Sequence, residues 1–495
     1  MADSPYIVAL DIGTSSVRAA IYDARGHALP EAHAAARQVV RTTPDGGAEM
    51  RADEVVERAV DCLDETLVQA GERVRPIAGV AICTYWHSTL GVGRAGRAVT
   101  PVYLWSDTRS AAEVEWLRRR LDARALHQRT GCPLHTSYVA PRLLWVARAQ
   151  PHRFRQARQW MSIGEYLFLR LFGEPVCSYS MASGTGMFDL AKRQWDPALL
   201  SLLPIQPEQL TPPVEYTEAR RGLRPPFAER LRPLREAPWF PALGDGACSN
   251  VGSGATHAGR IAVMVGTSGA MRVVGPPGPP RPPDGLWAYL LDGQRFLIGG
   301  ALSNGGNLLT WLMHTLRAGS RDRLEQELQR MAPDTHGLTV LPFLFGERAP
   351  GWRGDARAAI VGLTGATRPA EIVRAGLEAV AYRFALIYQR LRGRLGKPPE
   401  AGRQILATGG ALLHSPAWMQ ILADVLNEPL LVSHEPQASE RGAALMGLVA
   451  LGILPSLDAA AFPFGRTFLP SAERHARYRQ ALARHQELYA RLLAE

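Results

Sequence analysis

A strand that ends in Gly-Thr-Ser and turns straight back into a second strand occurs twice in this chain, about half a chain apart. No other feature narrows the fold as far. The first copy runs through Tyr6–Leu10, then Asp11-Ile-Gly13-Thr14-Ser15-Ser16, then Val17–Tyr22, with Gly26 closing a further hairpin turn. The second runs through Arg260–Val265, then Gly266-Thr267-Ser268-Gly269, then Ala270–Val274. Short apolar runs bounded by such turns read as buried strands. Each copy is followed by the same kinds of element. After the first, Val56, Val60, Leu63 and Leu67 keep the spacing of an amphipathic helix, with Asp53 as its expected N-cap, and Ile77–Cys83 reads as a buried strand. After the second comes a proline-rich loop, Gly275–Pro283. A helix with Pro369 in its first turn then carries Ile372, Leu377, Val380, Phe384, Ile387 and Leu391 at helical spacing. Gln404–Ala407 reads as a strand and the region 416–426 as a helix. Strands alternating with helices imply a layered α/β architecture. The expectation is two α/β domains of related build, 1–250 and 251–495. The Pro- and Arg-rich stretch Leu203–Pro241 is expected to wrap the surface between them.

Composition matters first through lysine. Of 56 basic residues only Lys192 and Lys397 are lysines. Neither lies in the Gly-x-x-x-x-Gly-Lys-Ser/Thr setting that a P-loop requires, so any nucleotide must be held on another scaffold. The formal net charge is +10, but the arginines are spread among acids, with only short clusters such as Arg118-Arg119-Arg120. Solvated helix faces account for that charge, and no nucleic-acid partner is expected. Five separated cysteines without a Cys-x-x-Cys pair fit reduced thiols and exclude a zinc framework. The N-terminus lacks a basic, apolar leader and no apolar run approaches the ~18 residues of a membrane span, so a cytoplasmic protein with no membrane partner is expected. Sequence does not set the oligomeric state and leaves a homodimer open.

Each Gly-Thr-Ser turn offers consecutive backbone N–H groups and two hydroxyls, the makings of an anion nest. Two such turns on opposing domains can grip a polyphosphate from both sides. Asp11, at the end of the first strand, can orient a hydrated divalent cation beside those phosphates, and Arg18 offers a forked donor. Ala407-Thr408-Gly409-Gly410-Ala411 lets backbone approach a nucleotide ring or its sugar, and Gly305-Gly306 is a further close approach. Gly244-Asp245-Gly246 sets a carboxylate where backbone bulk is absent. Thr84–Ser88 ends a buried run and should open onto a cleft. Near it, Trp105, Asp107 and Arg109 offer an aromatic face and polar groups suited to a sugar. Asp107 and Arg109 can equally pair with each other, and Trp105 can equally belong to the core. Cys248, three residues after Asp245, reads as a packing residue.

In this order the motifs resemble the FGGY carbohydrate kinases, over nearly the whole chain from Ile7 to about Gly447. The resemblance rests on Asp11-Ile-Gly-Thr-Ser-Ser, Gly244-Asp245-Gly246, Val265-Gly-Thr-Ser, Ala407-Thr-Gly-Gly-Ala and Glu440-Arg-Gly-Ala-Ala. Four further stretches are similar to the gluconokinase branch: Thr130–His135, Ser162–Tyr166, Ala182–Gly186 and Gly346-Glu-Arg-Ala-Pro350. Trp86 departs from that branch, which carries a smaller apolar residue there, and implies a narrowed pocket. His414 departs as well.

The resemblance implies two duplicated RNase H-like domains of the actin/Hsp70/sugar-kinase type around a central ATP and substrate cleft. It implies an ATP- and Mg²⁺-dependent kinase that phosphorylates the terminal hydroxyl of a sugar acid, D-gluconate giving 6-phosphogluconate. Xylulose, another ketose, glycerol or a polyol is the alternative substrate, and a catalytically silent nucleotide or sugar sensor is a more distant reading. Asp245 takes the role of catalytic base, and Asp11 and Asp245 face the metal. Gly13, Thr14, Ser15, Arg18, Gly266, Thr267, Gly306, Gly410 and Ala411 face ATP. His87, Trp105, Asp107, Tyr138 and Asp245 face the sugar.

Overall fold

A computed structural model describes residues 5–74, 76–396 and 402–493; Lys397 lies outside them. Two sheets carry the architecture. The first is built from β1 (Tyr6–Ile12), β2 (Ser16–Tyr22), β3 (Ala28–Arg37), β4 (Ile77–Thr84) and β5 (Leu243–Gly244), in the order β5-β4-β1-β2-β3. β1, β2 and β3 pair antiparallel, whereas β4 runs parallel to β1 and β5 parallel to β4. The second sheet contains β6 (Arg260–Val265), β7 (Gly269–Val274), β8 (Trp287–Leu290), β9 (Phe296–Leu302), β10 (Gln404–Thr408), β11 (Leu430–Ser433) and β12 (Phe464–Phe468), in the order β8-β9-β7-β6-β10-β11-β12. Its middle five strands, β9-β7-β6-β10-β11, repeat the order and the parallel and antiparallel senses of the first sheet. This is the two-domain α/β sugar-kinase arrangement. β8 and β12 extend the second copy at its two edges.

The central strands are buried on both faces, as β1 shows from Ile7 to Ile12. Apolar, β-branched-rich sequence suits such strands because helices cover them. Helix α1 (Ala52–Ala70) covers part of the first sheet, burying Val56, Val60 and Leu63. It begins one residue before Asp53, which therefore does not cap it. The N-cap is Arg51, without a side-chain cap bond, and the Asp53 carboxylate instead accepts the Tyr166 hydroxyl at 2.7 Å.

The chain passes between the sheets through α2 (Asp245–Gly252), which starts directly from β5. In the second half follow α3 (Gly306–Thr315), α4 (Pro369–Leu395), the short α5 (Gly410–Leu413), α6 (Pro416–Leu426) and α7 (Ala438–Ala450). α7 lies against the first sheet, where Gly447 leaves room for Ile7 and Ala81. It also crosses α2 at a contact that only glycines permit. A Cβ on Gly442 would stand 1.8 Å from the Cys248 carbonyl oxygen, and one on Gly252 1.9 Å from that of Ala438. Two helices therefore link the halves at backbone contact. All five cysteines are free and buried. Among the described residues no helix is long and apolar enough to cross a membrane.

Candidate active site

Both Gly-Thr-Ser turns sit at the ends of their first strands. The Gly13 N–H donates to the Ser16 carbonyl at 2.9 Å, three residues on, whereas the Gly266 N–H donates to that of Ser268 at 3.0 Å, two residues on, so the second loop is one residue tighter. Thr14, Ser15, Gly266, Thr267 and Ser268 line one large cleft of about 1130 Å³. A smaller inner cavity of about 210 Å³ adjoins it and shares Thr14, Trp105, Ser137, Met264, Ser268 and Arg348 with it. The outer cleft and the inner cavity thus adjoin across these six shared residues.

Other glycines bring backbone to the second turn. Gly306 starts α3 so close to it that a Cβ there would stand 2.4 Å from the Gly266 carbonyl oxygen and 2.7 Å from the Ala411 Cβ. The Gly306 N–H is engaged by the Gly266 carbonyl at 2.9 Å, so this residue braces the turn. Gly409, at φ +90°, passes over Val265 where no side chain fits. Gly410 and Ala411 then open α5. His414 Nδ1 folds back onto the Gly410 carbonyl oxygen at 2.6 Å.

The floor of the inner cavity is aromatic. Trp86 is threaded among Gly184, Gly244 and Gly246; a Cβ on Gly244 would fall 1.9 Å from its indole. The glycines around Asp245 are thus required by Trp86, in addition to any approach by substrate. The Trp86 indole N–H donates to the Ser180 carbonyl at 3.1 Å, and its ring meets Tyr289 edge-on at 4.8 Å. Tyr289 stacks on Trp287 at 4.2 Å and shares a 2.8 Å hydroxyl contact with Tyr138. These wall residues suit the C–H faces of a sugar.

His87 is held at φ +64°, a left-handed conformation that a non-glycine residue adopts only under tertiary constraint. Its Nδ1 meets the Gly184 carbonyl. Burial pushes its pKa down to about 3, with Arg142 and Arg348 adding to the fall, although the Gly184 contact opposes it. The ring is neutral, and with Nδ1–H donating to Gly184 its Nε2 is left as an acceptor.

Asp245 lines the inner cavity as the first residue of α2. Burial raises its pKa, while Arg272 and the backbone N–H groups of Gly246 and Trp86 pull the other way. Asp11, at the end of β1, is almost buried; burial and then the charge of Asp245 push its pKa up to about 6, against the Cys83 thiol and Arg18. The Asp245 charge reaches Asp11, and a divalent cation would relieve the repulsion between two such carboxylates. Asp11 and Asp245 therefore fit a Mg²⁺ ion.

His87, Trp105, Tyr138 and Asp245 come together around the inner cavity. Asp107 does not. Its carboxylate, 2% exposed, turns inward to accept the Ala48 N–H at 3.2 Å and to pair with Arg109, which also binds Glu49 and stacks on Trp145. Asp107 is thus a buried ion-pair partner, and the loop after Tyr103 presents Trp105 to the cavity in its place. Arg18 stands opposite Asp11 in the β1–β2 ladder, and of the expected ATP and metal residues Asp11, Gly13, Arg18, Gly306, Gly410 and Ala411 line neither space. Arg272 and Arg348 line the inner cavity without having been singled out by sequence. Each carried a signal: Arg272 interrupts the buried strand Ala-Met-Arg-Val-Val after the second turn, and Arg348 stands within Gly346–Pro350.

Comparison with known proteins agrees with this geometry. Residues 6–252 match the N-terminal domain, and residues 261–451 the C-terminal domain, of the FGGY family of carbohydrate kinases. A gluconokinase from Bacillus subtilis (strain 168) is 29% identical over 94% of this chain and 91% of its own length. The crystal structure of a gluconate kinase from Lactobacillus acidophilus superposes with a TM-score of 0.91 at 28% identity, covering 100% of this chain and 99% of that one. A ligand-bound xylulose kinase from the same organism matches with a TM-score of 0.91 at 28% identity, covering 99% of each chain.

Proposed function

The chain belongs to the FGGY family of carbohydrate kinases, and from that premise we propose that it transfers the γ-phosphoryl group of ATP to the terminal hydroxyl of a sugar acid, D-gluconate, giving 6-phosphogluconate. The observation that carries this reading is the position of Asp245. It lines the inner cavity, which is walled by Trp105, Tyr138, Trp287 and Tyr289, and that cavity shares Thr14 and Ser268 with the cleft lined by both Gly-Thr-Ser turns.

In this reading the sugar fills the inner cavity with its terminal hydroxyl toward Asp245. The Asp245 carboxylate accepts the hydroxyl proton as the oxygen attacks the γ-phosphorus, and burial suits it to that task by lifting its basicity above that of a solvated carboxylate. Phosphoryl transfer asks mainly for in-line placement and neutralised charge. The N–H groups of Gly13 and Gly266 close the turns, so Thr14, Ser15 and Thr267 supply the N–H groups for the phosphates, braced by Gly306, while Gly410 and Ala411 offer a surface for the nucleoside. Asp11 and Asp245 would hold Mg²⁺, which offsets negative charge on the phosphates when bound. Both halves build the sugar pocket, residues 1–250 giving His87, Trp105, Tyr138 and Asp245 and residues 251–495 giving Arg272, Trp287, Tyr289 and Arg348. His87, neutral at working pH, accepts a substrate hydroxyl through Nε2.

Replacing Asp245 with Asn keeps the shape and removes the base. The expected result is a kcat lower by at least ~10²-fold with ATP binding kept. Near-normal turnover would end this assignment. A neutral ketose is the second reading, favoured by the likeness to a xylulose kinase.

A further inference from the structure

We propose that Arg272 and Arg348 form the seat for the carboxylate of the sugar acid, and so select an anionic substrate over a neutral sugar of the same length. The inference deepens the proposed function and rests on it for the identity of the acid. Both side chains line the inner cavity. They come from separate parts of the chain, Arg272 from β7 and Arg348 from the loop after Phe343. Arg272 is 9% exposed, and its guanidinium lies against Gly246, 3.3 Å from where a Cβ would stand. The Arg348 guanidinium lies over the Trp105 ring at 4.8 Å and donates once, to the Leu302 carbonyl at 3.0 Å. Its Nε is buried without a hydrogen-bond partner.

Among the described residues neither arginine has a carboxylate within ion-pair distance. Other buried arginines are answered, Arg374 by Glu378, Arg383 by Glu347 and Arg109 by Asp107 and Glu49, while Arg142 is met by the carbonyls of His87, Thr136 and Ser137. A buried charge without a partner is expensive. Here Arg348 is such a charge, and Arg272, eased by Asp245, faces the same cavity and opposes it, helping burial to push the Arg348 pKa down to about 10. The other titratable groups acting on the pair are Asp245, close enough to support Arg272, and the phenols of Tyr138 and Tyr289. The forked guanidinium matches a carboxylate in geometry as well as charge. A neutral ketose or polyol would leave the Arg348 charge unanswered and Arg272 with Asp245 alone.

The alternative use of these arginines is to stabilise the transferring phosphoryl group, and kinetics separates the two. A seat that holds the carboxylate alike in the ground and transition states contributes uniform binding, so its loss raises KM for the sugar and leaves kcat in place. Arg348→Gln is the cleaner variant, because Arg348 is not among the groups acting on Asp245. It should raise KM for D-gluconate by ~10²-fold, with kcat and KM for ATP within about threefold of wild type, and Arg348→Lys should recover part of the loss. Arg272→Gln should raise the same KM, with an added change in the pH profile of kcat because Arg272 also acts on Asp245. A thermal shift on adding ADP and Mg²⁺ confirms that each variant is folded. An unchanged KM for gluconate in either Gln variant would overturn the proposal, as would a collapse of kcat or a rise in KM for ATP in Arg348→Gln.

Calorimetric titration with D-gluconate keeps this failure apart from failure of the proposed function. Binding by wild type that is lost in Arg348→Gln upholds the seat even if gluconate is not turned over. Absence of gluconate binding to wild type overturns it.

Discussion

The two Gly-Thr-Ser turns are alike in sequence and unlike in charge. β1 enters the first turn through Asp11, and β6 enters the second through Met264 at the matching place. On the return strand, Ala20 stands where the second copy has Arg272, opposite Ala9 and Ala262 respectively. One backbone design thus serves two electrostatic tasks. The first turn carries a carboxylate suited to a cation. The second is neutral on its incoming strand, is braced by Gly306, and carries an arginine into the substrate cavity. Duplication supplied the cradle, and side chains at two positions divided the labour.

The largest expected effect lies at that first difference. Asp11→Asn should lower kcat by ~10²-fold at fixed Mg²⁺, whereas Met264→Leu should leave it within about twofold, since only the first removes a charge held beside the phosphates. Equal effects in steady-state assays would erase the comparison. Next comes the brace. A Cβ on Gly306 would stand 2.4 Å from the Gly266 carbonyl oxygen, so Gly306→Ala should raise KM for ATP by ~10-fold by displacing the second turn. The turn glycines themselves should differ more mildly. A Cβ on Gly13 would meet the Ser16 carbonyl oxygen at 3.0 Å, but one on Gly266 meets only the Met264 sulfur at 3.6 Å, an ordinary contact. Gly13→Ala should therefore raise KM for ATP ~3-fold, and Gly266→Ala should leave it unchanged.

The smallest effect lies outside both turns and shows what burial does without a ligand. His485, with Nδ1 on the Val340 carbonyl oxygen at 2.9 Å, is buried so that its pKa falls to about 3 from 6.5. Below pH 6.5 the unfolded chain binds a proton there that the folded chain refuses, so stability falls as pH drops, by up to about 1.4 kcal/mol per unit. Urea unfolding at pH 6.5 and 5 should show a flatter dependence in His485→Gln, and an unchanged slope would refute the burial argument.

The fold was legible because its main constraint is local. A strand, a three-residue turn and a returning strand occupy consecutive residues, and each copy could be read without the other. His87 and Trp105 were legible beside short buried runs and Asp245 by its flanking glycines, whereas Tyr138 came only with the family resemblance. Asp107 was not, because the direction of its carboxylate is decided by Arg109, Glu49 and the Ala48 N–H, partners set by tertiary packing. Arg272 and Arg348 reach one cavity from positions far apart in the chain, so neither announces the other. The glycines flanking Asp245 suggested room for substrate, and the Trp86 indole accounts for them.

The central claim is phosphoryl transfer from ATP to a sugar acid. Its most direct test is ATP consumption by the wild-type chain with D-gluconate, xylulose, ribulose, glycerol and erythritol side by side, with the product of any turnover identified. The expected result is turnover on gluconate alone, yielding 6-phosphogluconate. Turnover confined to the neutral sugars, or silence on all five with ATP still bound, would contradict it.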